Sequence, residues 1–145
     1  MNPTALSLNA ETCEITLPLG GTGSFIARIE LKNEATVDPE RSVMLFTISN
    51  GSDIASRSHR TVLLKKELPI RTDLDGIFVS VSFSNSDTRT LKPGRYAWDL
   101  TLVIDPDRDE HGEVIAQDDT DGVIPIFAKT GRLPSFVLSE VTYIV

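Results

Sequence analysis

The stretch of sequence that decides the fold is Ser86-Asp-Thr-Arg-Thr-Leu-Lys-Pro-Gly-Arg-Tyr-Ala-Trp-Asp-Leu-Thr-Leu-Val-Ile104. A polar turn comes first, Pro93-Gly94 follows, and a segment of alternating residues completes the stretch. One face of the predicted strand carries Tyr96, Trp98, Leu100, Leu102 and Ile104, and the other carries Ala97, Asp99, Thr101 and Val103. This order is typical of a hairpin entry into a half-buried antiparallel strand. It contains no obvious reactive group, so it indicates an architectural role.

The composition is typical of one acidic, globular domain. The chain has 145 residues, of which 40% are hydrophobic, so we expect one domain, 1–145, with its own core. The net charge is −7 and the pI is about 4.7. Because no basic stripe interrupts this acidity, we expect no nucleic-acid partner and no binding to anionic membranes.

The cysteine count and the N-terminus bear on the compartment. Cys13 is the only cysteine, which excludes an intrachain disulfide and fits folding in a reducing compartment. The first residues have no positive region followed by an apolar one, so we expect no signal peptide. No apolar run approaches the roughly 18 residues of a membrane helix. Residues 1–12 are predicted to be a flexible N-terminal arm.

Strand signals recur along the chain at short intervals. A period of two is present in residues 25–32, where Phe25, Ala27, Ile29 and Leu31 alternate with Ile26, Arg28, Glu30 and Lys32. The same period is present in residues 77–84, where Ile77, Val79, Val81 and Phe83 alternate with Phe78, Ser80, Ser82 and Ser84. Asn85 to Leu91 is predicted to form one short helical turn capped by Ser86 or Asp87. The remaining strands are predicted at 13–17, 43–49, 61–68, 96–104, 114–116, 123–129 and 135–145. Roughly eight short strands separated by turn signals indicate an all-β protein, a β-sandwich.

The acidic loop that follows the central strand begins like a calcium loop. Asp105, Asp107 and Asp109 occupy alternate positions, as in an EF-hand. The sixth and twelfth positions of that motif require Gly and Glu, but here they hold Glu110 and Ala116. A solvated hairpin tip is therefore the preferred interpretation, and these three carboxylates are only weak metal candidates. Asp118, Asp119 and Asp121 would complete an oxygen site only if the two acidic loops touched.

Other reactive patterns are incomplete. His59 and His111 lie in polar loops and are too few for a zinc site. No serine lies in a nucleophile elbow, and Cys13 is predicted to be a buried residue of an apolar strand. The run Gly20-Gly21-Thr22-Gly23 lacks the Lys-Ser/Thr of a phosphate loop and is predicted to be a hairpin turn. We therefore predict no enzymatic activity and no cofactor.

Tyr96 and Trp98 are open to two interpretations. The two rings would make a carbohydrate-stacking platform if they faced solvent. Their phase, shared with Leu100 and Leu102, instead predicts that they point into the core.

The run from Ile15 to Thr142 resembles the N-terminal domain of bacteriophage baseplate upper proteins. Its central signature, Asp-Thr-x-x-Leu-x-Pro-Gly-x-Tyr-x-Trp/Tyr-Asp, is matched by Asp87, Thr88, Leu91, Pro93, Gly94, Tyr96, Trp98 and Asp99. A closing strand in which Phe-x-Val/Leu is followed by Val-Thr is matched by Phe136, Leu138, Val141 and Thr142, with two residues between Leu138 and Val141. Two departures stand out: the chain stops just after the closing strand, and the loop 105–122 is longer than the usual hairpin.

The resemblance implies an immunoglobulin-like β-sandwich in a phage or prophage tail or baseplate. Such a domain would be made in the bacterial cytoplasm and would act in the virion as an assembly scaffold, docked to other tail or baseplate proteins. The alternative is a bacterial carbohydrate-binding or adhesion module. We expect a monomer or small homo-oligomer in isolation, and the apolar C-terminal run 141–145 is a candidate docking segment.

Overall fold

The computed structural model describes residues 6–30, 37–50, 61–73, 76–116, 122–127 and 133–140, and these form an all-β, sandwich-like structure. The strands are β1 (Ser7–Leu8), β2 (Ile15–Pro18), β3 (Gly23–Ile29), β4 (Ser42–Ser49), β5 (Val62–Leu68), β6 (Ile70–Asp73), β7 (Gly76–Phe83), β8 (Gly94–Ile104), β9 (Asp107–Arg108), β10 (Val114–Ile115), β11 (Val123–Pro125) and β12 (Ser135–Ser139). In this part of the chain no helix has the length and apolar character needed to cross a membrane.

Two sheets face each other across the core, and a two-stranded hairpin of β9 and β10 lies on the outer face of the larger sheet. The large sheet has the order β1-β2-β12-β8-β4-β5, with β11 also paired to β8. The small sheet has the order β3-β7-β6, and β9 pairs with β10. The β2–β12 pair is parallel, whereas the other described pairs are antiparallel. The register is continuous from Gly23 opposite Phe83 to Ile29 opposite Ile77.

The core lies between the inward faces of the two sheets. The large sheet contributes buried residues that include Ile15, Leu17, Phe46, Trp98 and Phe136, and the small sheet contributes Ile77, Val79, Val81 and Phe83. The predicted alternation of β3 and β7 is confirmed. Phe25, Ala27 and Ile29 of β3 lie on the inward face with the apolar residues 77, 79, 81 and 83 of β7, whereas Ile26 and Phe78 lie on the outer face. Both faces of β4 are largely buried, which confirms the prediction for that strand.

The central strand β8 is buried on both faces, so the prediction of a half-buried strand is wrong. The predicted hairpin entry is also wrong, because the preceding strand β7 lies in the other sheet. Ala97, Asp99, Thr101 and Val103 are all buried on its outer side. Over part of that face, Val103, Leu45 and Val114 form a second apolar cluster. Val114 belongs to the β9–β10 hairpin, which is formed by the acidic segment after β8. Through Val114 this hairpin packs against the outer face of the large sheet. Strand periodicity alone does not predict this packing.

The chain passes from one sheet to the other at Pro69. β5 ends at Leu68 in the large sheet, and β6 begins at Ile70 in the small sheet. Both flanking residues are buried, so the crossing is anchored on each side. Pro69 has no N–H to offer a ladder, which suits a residue between two strands. The sequence did not predict β6.

Three further expectations are corrected. Cys13 precedes β2 instead of lying in it, and its φ is +60°. Residues 85–90 form turns, not a helical turn. Ser7 and Leu8, assigned to a flexible arm, pair with β2. The predicted C-terminal docking run 141–145 lies outside the described residues.

Candidate functional site

The motif that suggested the family resemblance folds into a corner between β7 and β8. At its start, the Asp87 carboxylate accepts hydrogen bonds at 2.7 Å from the Ser84 N–H and at 2.7 Å from Lys66 Nζ. The backbone N–H of Asp87 in turn donates to the Ser84 carbonyl at 3.1 Å. Asp87 therefore closes the turn that leaves β7, and it does not cap a helix.

Lys66 links this turn to the edge of the opposite sheet. Its position places it on the inward side of β5, opposite the buried Phe46. Its ammonium group also donates to the Ser82 carbonyl at 2.8 Å and lies 5.7 Å from the centre of the Phe83 ring. The Lys66 ammonium group thus links β5 of the large sheet to β7 of the small sheet and to the turn that follows β7. An inward lysine between Leu64 and Leu68 is the sequence signal that would have predicted this role.

The ion pair determines the protonation of Asp87. Burial raises the pKa of the Asp87 carboxyl, but the hydrogen bond from Lys66, the backbone N–H of Ser84 and the positive charge of Lys66 outweigh it. The net effect holds the pKa below the ordinary value for aspartate. Asp87 is therefore ionised at neutral pH and is not tuned for proton transfer near pH 7.

Thr88 joins the corner to the glycine turn. The residue has no exposed surface, and its Oγ1 accepts a hydrogen bond from the Gly20 N–H at 3.1 Å. The Gly21 N–H donates to the Pro18 carbonyl at 2.7 Å. Because both amides are used within the fold, these two groups are not directed at an anion. The run is a turn, but it connects β2 of the large sheet to β3 of the small sheet, so the prediction of a hairpin is wrong.

The second half of the motif directs the chain into β8. Leu91 donates its N–H to the Thr88 carbonyl at 3.0 Å and packs on the core. The Tyr96 hydroxyl donates a hydrogen bond to the Lys92 carbonyl, so the bond spans the segment that contains Pro93 and Gly94. This bond braces the bend at which β8 begins.

Near the end of the motif, Trp98 lies in the core. It is 3% exposed, and its Nε1–H donates to the Cys13 carbonyl at 2.9 Å. The rings of Phe25, Phe46 and Phe127 surround it, with centroids 5.1–5.9 Å away. The predicted core position is confirmed, and Trp98 has no face available for stacking on a sugar. The neighbouring Asp99 is also buried, on the outer side of β8.

The candidate calcium ligands do not converge. The Asp105 carboxylate accepts a hydrogen bond from Arg41 Nε at 2.8 Å. Asp109 Oδ1 accepts from the N–H groups of His111 at 2.8 Å and Glu113 at 3.0 Å, which closes the hairpin tip. Asp107 lies in β9, opposite Ile115. The acidic segment is thus a hairpin, in which the Asp109 carboxylate closes the tip and the Asp105 carboxylate pairs with Arg41.

Of the remaining metal candidates, the structure describes His111. His111 lies at the exposed hairpin tip, where its Nε2 is 3.5 Å from Glu110 Oε1. His59, Asp118, Asp119 and Asp121 lie outside the described residues. Within the ranges that the structure describes, no group of three or more His, Cys, Asp or Glu side chains is arranged to hold a metal ion.

The corner is therefore a structural site. Its principal polar groups, on Asp87, Thr88, Tyr96 and Trp98, each bond to another part of the chain. Comparisons with known protein families, curated proteins and solved structures found no match.

Proposed function

We propose that this chain is a non-enzymatic structural and interaction domain of a phage or prophage tail or baseplate, where it acts as an assembly scaffold. One observation carries the proposal: the motif that resembles that of baseplate upper proteins builds the β7–β8 corner. A motif of this kind specifies an architecture, so binding would depend on the surfaces and strand edges that the architecture presents.

The strand order supports an immunoglobulin-like interpretation of the sandwich. Such domains pair strands B, E and D in one sheet and G, F, C and C′ in the other. The orders β3-β7-β6 and β12-β8-β4-β5 agree with this arrangement. A tyrosine at the start of strand F, bonded to backbone a few residues upstream, is a further hallmark, and Tyr96 makes such a bond to Lys92.

The alternative, a carbohydrate-binding or adhesion module, is less well supported. Its sequence argument depended on a platform formed by Tyr96 and Trp98. Trp98 is enclosed by three phenylalanine rings, and the Tyr96 hydroxyl is bonded within the corner. The aromatic residues that suggested sugar binding therefore stabilise the fold.

The proposal is tested on particles from the source bacterium. Tail or induced prophage particles are purified on a density gradient, and this chain is sought by mass spectrometry and by antibody labelling in electron micrographs. We expect it at a fixed ratio to other tail proteins and at one position on the tail. Its absence from intact particles, together with tight binding of the isolated domain to a defined glycan, would replace the scaffold with the adhesion alternative.

A further inference from the structure

The outer strands of the two sheets differ in how well they are protected against pairing. Natural sheets protect such strands with short length, charged side chains or inward-pointing charges. β1 has two residues, and β6 has four and follows Pro69. β5 is long but contains Lys65, Lys66 and Glu67, and Lys66 points inward.

β3 is the least protected of these strands. It is seven residues long, Gly-Ser-Phe-Ile-Ala-Arg-Ile, and its single charged residue is Arg28. It pairs with β7 on one side, and among the described strands none pairs with its other side. Ile26, at its centre, is 62% exposed, the largest exposed fraction among the large hydrophobic residues described.

The core also remains partly open along β3. Phe25, Ala27 and Ile29 point inward but are only half-buried. The inward residues of the neighbouring β7, such as Val79 and Val81, are buried almost completely. A strand placed beside β3 would cover the exposed sides of these residues and satisfy its outer backbone groups.

The sequence of β3 is compatible with a second copy of itself. If two β3 strands run antiparallel about a twofold axis at Ile26, Ile26 faces Ile26 of the other copy. Arg28 then lies opposite Ser24, and Phe25 lies opposite Ala27, so no like charges face each other. The same operation on β5, centred on Lys65, would place two lysines opposite each other. β3 is thus the self-complementary edge of the two.

We propose that two copies of this chain associate through antiparallel pairing of their β3 strands, joining the two small sheets into one sheet of six strands. The interface is isologous and centred on Ile26. A single strand pair makes a small interface, so the dimer is weak and concentration-dependent. This inference does not depend on the proposed role in a virion.

Sedimentation equilibrium of the full chain over a range of concentrations and salt tests the pairing. Wild type is compared with Ile26→Lys and with Val62→Lys, a matched control on the β5 edge at a residue 52% exposed. We expect Ile26→Lys to raise the dimer Kd at least about tenfold, because opposed ammonium groups replace an apolar contact. Val62→Lys should leave the Kd unchanged. Added salt should tighten the dimer, since two chains of net charge −7 repel each other.

A covalent trap identifies the contact itself. In a Cys13→Ser background, Ile26→Cys should form an intermolecular disulfide that Val62→Cys does not form under the same oxidation. A wild type that stays monomeric at every concentration, or a dimer that Ile26→Lys leaves intact, would overturn the proposal. Leu6 lies against Gly23 at the start of β3, so residues 1–5 are the rival occupant. A monomer that dimerises only when residues 1–5 are deleted would show that they cover this edge, and the proposal would fail.

Discussion

Phe25 of the small sheet and Trp98 of the large sheet meet edge to face across the core, with ring centroids 5.9 Å apart and an interplanar angle of 67°. In the proposed immunoglobulin-like arrangement, β3 and β8 correspond to strands B and F, which a disulfide often joins. Trp98 stands two residues after the corner tyrosine, where the second cysteine of that bridge lies. An aromatic contact thus links the sheets in a chain whose single cysteine excludes an internal disulfide.

Replacement of Trp98 should therefore cost a large part of the folding free energy. We expect Trp98→Ala to lower the free energy of unfolding by about 3–5 kcal/mol, because it leaves a cavity among three rings and an unpaired Cys13 carbonyl. Urea denaturation followed by far-UV circular dichroism measures the loss. Ile26→Ala, at an exposed position, is the control and should change stability much less. A Trp98→Ala variant as stable as wild type would contradict the core assignment.

The Tyr96 hydroxyl offers a narrower test of the corner. Tyr96→Phe keeps the ring and removes the hydrogen bond to the Lys92 carbonyl. We expect a loss of about 1 kcal/mol, the usual net value of one hydrogen bond. The denaturation slope should stay the same, because the fold is unchanged. If the variant is as stable as wild type, the hydroxyl does not brace the bend.

Local pattern predicted the strands whose apolar residues alternate or run together. β3, β5 and β7 lie close to their expected positions because period-two patterning follows directly from a sheet with one buried face, and β4 does so because a continuous apolar run is typical of a strand covered on both faces. The same reasoning failed for the outer face of β8, where Asp99 and Thr101 look solvent-exposed in sequence but are buried. Burial there depends on segments distant in sequence, including the β9–β10 hairpin that carries Val114.

The corner was predicted as a motif but not as a set of contacts. Thr88 bonds to Gly20, 68 residues away, and Trp98 bonds to Cys13, 85 residues away. A single sequence shows residue types and spacing, whereas such pairings follow from the topology. Cys13 illustrates this point, since an apolar run predicted a strand residue but the backbone turns there with φ +60° to present its carbonyl to the indole.

The Lys66–Asp87 pair predicts how stability depends on pH. The pKa of Asp87 is lower in the folded chain than its ordinary value, so the unfolded chain binds the proton more tightly. The stabilisation of the folded chain by ionised Asp87 is therefore complete above the ordinary aspartate pKa of about 3.9, and it is lost as the pH falls through the folded-state pKa. We expect Asp87→Asn to be less stable by about 2 kcal/mol at neutral pH, because it weakens a charge-assisted bond.

The measurement compares wild type and Asp87→Asn by thermal denaturation at several pH values. The difference in stability should shrink at the acidic end, where Asp87 of the wild type is protonated. Asp107→Asn, at an exposed position of β9, provides a control for the general loss of one negative charge. A difference that stays constant down to the lowest pH would show that the ion pair does not stabilise the folded chain.

The last prediction concerns calcium and the β9–β10 hairpin. Asp109 accepts two backbone hydrogen bonds through Oδ1, and Asp105 accepts one from Arg41, so these oxygens already stabilise the folded loops. Because the motif lacks Gly at position six and Glu at position twelve, we expect millimolar calcium to leave the melting temperature unchanged. Asp109→Ala should cost about 1 kcal/mol through loss of the turn, whereas Asp109→Asn, which keeps an acceptor oxygen, should cost less. Asp107→Ala, which leaves both turns intact, should match wild type. A melting temperature that rises by several degrees with calcium in wild type, and no longer rises in Asp107→Ala or Asp109→Asn, would show that these carboxylates bind the ion and that the acidic segment is more than a hairpin.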